Sequence, residues 1–165
     1  MEPTVTPLAL PRGYGTATQP IPWADVSARL KASLHYWVAT TRPDGRPHVV
    51  PRWGVWLDES WYYDGSPATR HARNLAASPA AVLHLEDGRE AVVLEGTSRP
   101  VTPAGDLGER LAAAFAKYHD LGYAPQPDAW DGGGLWRFAP AWGFAWSRFP
   151  DDATRFTFDL VMSTS

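Results

Sequence analysis

Two turn sequences constrain this chain more than any other feature in it. Pro43-Asp44-Gly45 separates two runs rich in aromatic and β-branched residues, Leu34 to Arg42 and Pro47 to Leu57, and Asp87-Gly88 separates Ala80 to Leu85 from Ala91 to Val101. Proline presets φ at the first corner of a turn and glycine accepts the positive φ that closes it, so each turn folds its flanks back as an antiparallel hairpin. Asp58-Glu59-Ser60 turns the second run into Trp61-Tyr62-Tyr63, giving three consecutive antiparallel strands. Leu135 to Phe149 is a last bulky stretch, and Pro140 inside it predicts two short strands or one bent edge strand. Helical spacing recurs at Trp23, Val26, Leu30 and Leu34, and again at Leu107, Leu111, Phe115 and Tyr118. Ser66-Pro67 is a helix-start pair for a further helix from Pro67 to Ala77, which Ser78-Pro79 closes. About six strands with helices among them predict a mainly β, α+β domain, an antiparallel barrel with helices over its ends.

At 165 residues and 44% hydrophobic, the chain is long enough for one domain that buries roughly two thirds of its unfolded surface. We expect a single domain over residues 23–165, preceded by a flexible arm over 1–22 whose prolines 3, 7, 11, 20 and 22 interrupt any regular element. A formal charge of −3 removes the broad basic field of a nucleic-acid binder, and no run approaches the roughly 20 apolar residues of a membrane span. A cytoplasmic, soluble protein is expected, and the absence of cysteine excludes disulfides, thiolate metal sites and thiol nucleophiles together. The five histidines are dispersed without metal-ligand spacing, and no phosphate-binding glycine loop or nucleophile elbow occurs. Neither a metal site nor a catalytic acid–base set is therefore assigned.

One constellation has chemistry in it: Ser66 to Asn74, with Arg52. With Ser66 as cap, the N–H groups of Ala68 and Thr69 would lie in a first helical turn that attracts anions, beside the Thr69 hydroxyl and the Arg70 guanidinium. Arg70 and Arg73 are helical neighbours, as are His71 and Asn74, and arginine's planar fork matches phosphate oxygens. An ordinary capped surface helix fits the same residues. Nine tryptophans accompany this cradle, and Trp53, Trp56, Trp61, Trp136, Trp142 and Trp146 suit either a slot for a planar heterocycle or core and interface.

The order of motifs resembles a known family. His35-Tyr36-Trp37-Val38-Ala39-Thr40-Thr41-Arg42-Pro43-Asp44-Gly45-Arg46-Pro47-His48-Val49-Val50-Pro51, then Trp61-Tyr62-Tyr63, then Thr69-Arg70-His71-Ala72-Arg73-Asn74-Leu75, then Glu95-Gly96-Thr97 is similar to the pyridoxamine 5′-phosphate oxidase-like split-barrel flavoproteins. Within them it resembles the flavin/deazaflavin oxidoreductases of actinobacteria, whose long helix is echoed by Ala112 to Tyr118. The resemblance implies a homodimer of six-stranded antiparallel split barrels with two cofactor sites at the subunit interface. It implies that Thr69, Arg70 and His71 hold the cofactor phosphate, that Val50, Pro51, Arg52 and Trp53 border the ring system, and that Trp142 to Trp146 come from the other subunit. It also implies hydride transfer from reduced coenzyme F420 to an unsaturated or quinone-like small molecule. An FMN-dependent oxidase or reductase is the alternative, and so is a non-catalytic protein that carries or senses a flavin, deazaflavin or haem. His71 departs from the family, which usually has lysine there, and Arg52 or Arg73 is the candidate to compensate.

Overall fold

The structure is a computed structural model that describes residues 2–159, so residues 160–165 of the expected domain lie outside it. Its elements run β1 (Thr4–Pro7), α1 (Trp23–Ala32), β2 (Tyr36–Thr41), β3 (Pro47–Arg52), β4 (Val55–Leu57), β5 (Ser60–Asp64), α2 (Arg70–Ala77), β6 (Ala80–His84), β7 (Val92–Val101), α3 (Leu107–Phe115) with a 3₁₀ extension (Ala116–Leu121), β8 (Leu135–Ala145) and β9 (Thr154–Thr157). The nine strands form one sheet in the order β1-β9-β8-β7-β6-β2-β3, with β5 on the first half of β8 and β4 on β5. Every pairing is antiparallel. The fold is thus mainly antiparallel β with three helices, α+β as expected, and its sheet is open.

Three corrections have local causes. The expected strand from Pro47 to Leu57 splits into β3 and β4 at Gly54, where a Cβ would stand 2.3 Å from the Trp61 indole nitrogen. The C-terminal bulky stretch is one continuous interior strand, because its proline sits beside a bulge: Glu95 faces Trp142 and Gly96 faces Pro140, which leaves Ala141 as the extra residue. Gly96 is required at that point, since a Cβ would lie 2.1 Å from the Ala139 carbonyl oxygen. Finally, β1 and β9 pair with each other from Thr4 opposite Thr157 to Pro7 opposite Thr154, and with the split at Gly54 they raise the strand count from six to nine. Within the segment 1–22, expected as an arm, Thr18 also donates to the Asp151 carbonyl and Ile21 to the Thr154 hydroxyl.

Alternation puts Tyr36, Val38 and Thr40 of β2 on the buried side of the sheet, where α1 contributes Trp23, Val26 and Leu30. Trp23 packs on Phe156 and Phe158 at 5.1 and 5.2 Å and donates its indole N–H to Glu59. Glu59 and Asp58 both hold positive φ, at 53° and 50°, in the tight turn between β4 and β5. A second cluster joins Val55, Tyr62, Leu111, Phe115, Tyr118, Trp130 and Leu135 where α3 meets β4.

Tyr118 ties the second cluster to the break between β3 and β4. Its hydroxyl accepts the Gly54 N–H at 2.9 Å and lies 2.7 Å from the Leu34 carbonyl and 2.8 Å from the Gly54 carbonyl, the acceptors of its own proton. Tyr118→Phe strands the buried Gly54 N–H and is expected to cost about 1–3 kcal/mol of stability. Urea unfolding checks this: the midpoint falls with the slope unchanged, whereas an unshifted midpoint would show that Gly54 finds another partner.

Candidate functional site

The segment leading into α2 carries most of the residues assigned from sequence, and the structure revises how they are arranged. The helix begins at Arg70, three residues later than expected, because Ser66 to Thr69 closes a turn of its own: the Thr69 N–H donates to the Ser66 carbonyl at 3.2 Å. Ser66 caps that turn, its hydroxyl accepting from the Ala68 N–H at 3.2 Å, while Thr69 takes the N-cap position with extended backbone. The first-turn N–H groups without intrahelical partners are therefore those of Arg70, His71 and Ala72, next to the Thr69 hydroxyl.

The helix then sorts its residues by face. Arg70 and Arg73 are exposed. His71 and Asn74 are buried, and Asn74 is a tether: its amide N–H donates to the Thr40 hydroxyl of β2 at 3.0 Å. Val50 is half-buried opposite the buried Val38, so it faces the core.

Pro51, Arg52, Trp53 and Ser66 border a cleft in two compartments of about 340 and 700 Å³. Arg52, Asp64 and Tyr123 stand on the boundary that both share. One Arg52 N–H donates to the Asp64 backbone carbonyl, and the guanidinium lies 6.0 Å from the centre of the Tyr63 ring. The Asp64 carboxylate accepts from the Tyr123 hydroxyl and, at 3.4 Å, from the Trp130 indole N–H. Burial first, and then the hydrogen bond to Asp64, push the Tyr123 phenol up. Trp53 lies flat on Tyr118 at 5.0 Å and 16°. Sequence reasoning missed Asp64, Tyr123 and Trp130. The available signal was two aromatic residues inside a Pro/Gly/Asp loop, where solvent-exposed rings are otherwise costly.

Trp142 and Trp146 are elsewhere. With Phe144 they form a half-exposed row on the sheet face opposite the core, Phe144 stacking on Trp146 at 5.4 Å and Arg155 lying 4.6 Å over Trp142. Cross-strand register carries this face from Phe144 through Val93 and His84 to Trp37 and Pro51. A shallow groove of about 410 Å³ crosses it beside Ala39, Val82, Glu95 and Trp142. Within one chain, the tryptophan row and the Arg52 cleft line different cavities.

His71 sits at 2% exposure, its ring 6.0 Å from that of Tyr63 and its Nε2 3.4 Å from the Thr69 hydroxyl. Burial first, then the Arg52 charge and His48, lower its pKa from 6.5 to about 4. The folded protein therefore carries a neutral imidazole at neutral pH. Because the unfolded chain protonates this group first, its contribution to stability is complete above pH 6.5 and is lost as pH falls toward 4. His71→Gln is expected to flatten this part of the stability profile, measured as the thermal midpoint between pH 7 and 4 beside the unaltered chain; parallel profiles would contradict the assignment.

Among the described residues, no group of three or more metal-ligating side chains converges, and no helix is long and apolar enough to cross a membrane. No curated protein matches the chain. Among solved structures it is similar to an F420 reductase, at 21% identity over 90% of this chain and 97% of the other, with a TM-score of 0.52. It is also similar to a FAD-binding protein from Mesorhizobium loti, at 18% identity over 84% and 96% with a TM-score of 0.58. A third is the haem storage protein of Vibrio cholerae, at 19% identity over 71% and 88% with a TM-score of 0.53. At these identities the likeness is one of fold. The family model described as pyridoxamine 5′-phosphate oxidase matches residues 23–147, from the first residue of α1 to just past the tryptophan row, and the chain belongs to that family.

Proposed function

We propose that the protein is an oxidoreductase that transfers hydride from reduced coenzyme F420 to an unsaturated or quinone-like small molecule, working as a homodimer. The observation that supports this best is the juxtaposition of a helix start suited to phosphate with an aromatic cleft that Ser66 and Pro67 border. The cofactor, when bound, supplies the hydride chemistry that no side chain here has to perform. Thr69, Arg70 and the first-turn N–H groups of α2 would hold its phosphate, with Ser66 and Arg73 alongside. Pro51 to Trp53 would border the ring, backed by the Trp53–Tyr118 stack.

The residues present fit such a group with one adjustment. Neutral, buried His71 adds no charge, so Arg70 is the cation of the Thr69-Arg70-His71 run, and His71 and Asn74 support the helix from beneath. Preference for F420 over FMN rests on the motif resemblance to the deazaflavin subgroup. The half-exposed tryptophan row supports pairing of two copies through the outer sheet face, which would bring Trp142 and Trp146 to the partner's cleft.

Titration of the purified protein with F420 and FMN, followed by visible absorbance, is expected to show tight binding of F420. Binding of FMN alone would reassign the protein to flavin chemistry, and binding of neither would overturn the reading. Arg70→Ala is expected to cost about 1.5–3 kcal/mol of cofactor affinity, the range for a charge-assisted hydrogen bond. Unchanged affinity would move the phosphate away from α2. Sedimentation at micromolar concentration is expected to give twice the 18.2 kDa chain mass, and a monomer would remove the shared site.

A further inference from the structure

We infer that the two-compartment cleft around Arg52 is the acceptor subsite, and that Arg52 selects flat conjugated molecules bearing a carboxylate. This builds on the hydride-transfer reading and adds the chemical class of its acceptor.

Among the described residues, Arg52 is the only Lys or Arg that lines either compartment. It makes no ion pair among the described residues: its contact with Asp64 is to the backbone carbonyl, and the Asp64 carboxylate is engaged by Tyr123 and Trp130. Its Nε is buried and has no hydrogen-bond partner. A half-buried guanidinium in this condition lacks both full hydration and a counter-charge, a state that a bound anion relieves. The Asp64 carbonyl and the Gly65 backbone hold the fork in place: a Cβ on Gly65 would come within 2.6 Å of the terminal guanidinium nitrogen. A carboxylate can accept two parallel bonds from a fork oriented in this way.

The walls determine the rest of the ligand. Pro51 and Trp53 bound one compartment, Pro125 and Trp130 the other, and Tyr123 both. These are flat, rigid surfaces, and Trp53 is immobilised on Tyr118, so a planar ring system finds parallel apolar contact on either side of the cation. Ser66 and Pro67 bring the larger compartment up to the start of α2, but Thr69 and Arg70, the groups assigned to the phosphate, line neither compartment, so the cleft adjoins the phosphate position without including it.

Isothermal titration of the cofactor-free protein with naphthalene-2-carboxylate and with naphthalene-2-carboxamide tests the inference. The carboxylate is expected to bind about tenfold or more tightly than the amide. Arg52→Gln is expected to bring the carboxylate down to the level of the amide and to weaken F420 by far less than Arg70→Ala does. Equal affinities for the two probes in the unaltered protein would overturn the proposal without recourse to a variant. Loss of F420 affinity in Arg52→Gln to the extent seen in Arg70→Ala would also overturn it, by placing the guanidinium on the cofactor. A protein that fails to bind F420 but still prefers the carboxylate would refute the hydride-transfer reading and with it the acceptor role, and would leave Arg52 as the carboxylate-selecting group of the cleft.

Discussion

The Tyr118 hydroxyl is the contact on which the arrangement of the cleft depends. Where β3 gives way to β4, Gly54 is pressed against the Trp61 indole and cannot continue the ladder, so its N–H and carbonyl both need partners. One phenol serves both and also reaches Leu34 at the approach to β2. Its ring meanwhile supports Trp53, the residue that follows β3. A break that would otherwise weaken the sheet is thus converted into a rigid corner, and this corner sets Arg52 and Trp53 at the margin of the core, where both border the cleft.

Charge is distributed around this corner with an unusual economy. Lys117, adjacent in sequence, is held by the Lys31 and Ser33 carbonyls and the Tyr36 hydroxyl between two tyrosine rings, and burial lowers its pKa to about 8. Its position ties the end of α1 to the 3₁₀ extension, and it takes no part in the cleft. His71 is neutral, Arg70 and Arg73 face solvent, and among the described lysines and arginines Arg52 alone lines the cleft.

Hairpins and helix faces were legible in the sequence because they are local. Pro43-Asp44-Gly45 gives the β2–β3 turn, with Gly45 at φ 84°, and the split of α2 into an exposed Arg70/Arg73 face and a buried His71/Asn74 face follows from helical spacing. The features that escaped depend on partners distant in the chain. Gly54 ends a strand because of Trp61 and Tyr118, Pro140 is tolerated because Gly96 opposes it, and Asp64 belongs to the cleft because Tyr123 folds over it. The start of α2 shifted for a subtler reason: Ser66 and Thr69 are both competent caps, and the turn between them decides which one the helix uses.

The pairing of β1 with β9 carries a consequence for the order in which the molecule is made. Thr4 to Pro7 finds its ladder partners at Thr154 to Thr157, so β1 must wait until every other strand of the sheet has been synthesised before it can pair. The prolines spaced along residues 3–22 keep the waiting segment from forming a helix or a hairpin of its own. Once β9 is laid down against β8, the segment closes over it as the outermost strand of the sheet and covers an edge that would otherwise be open to other chains.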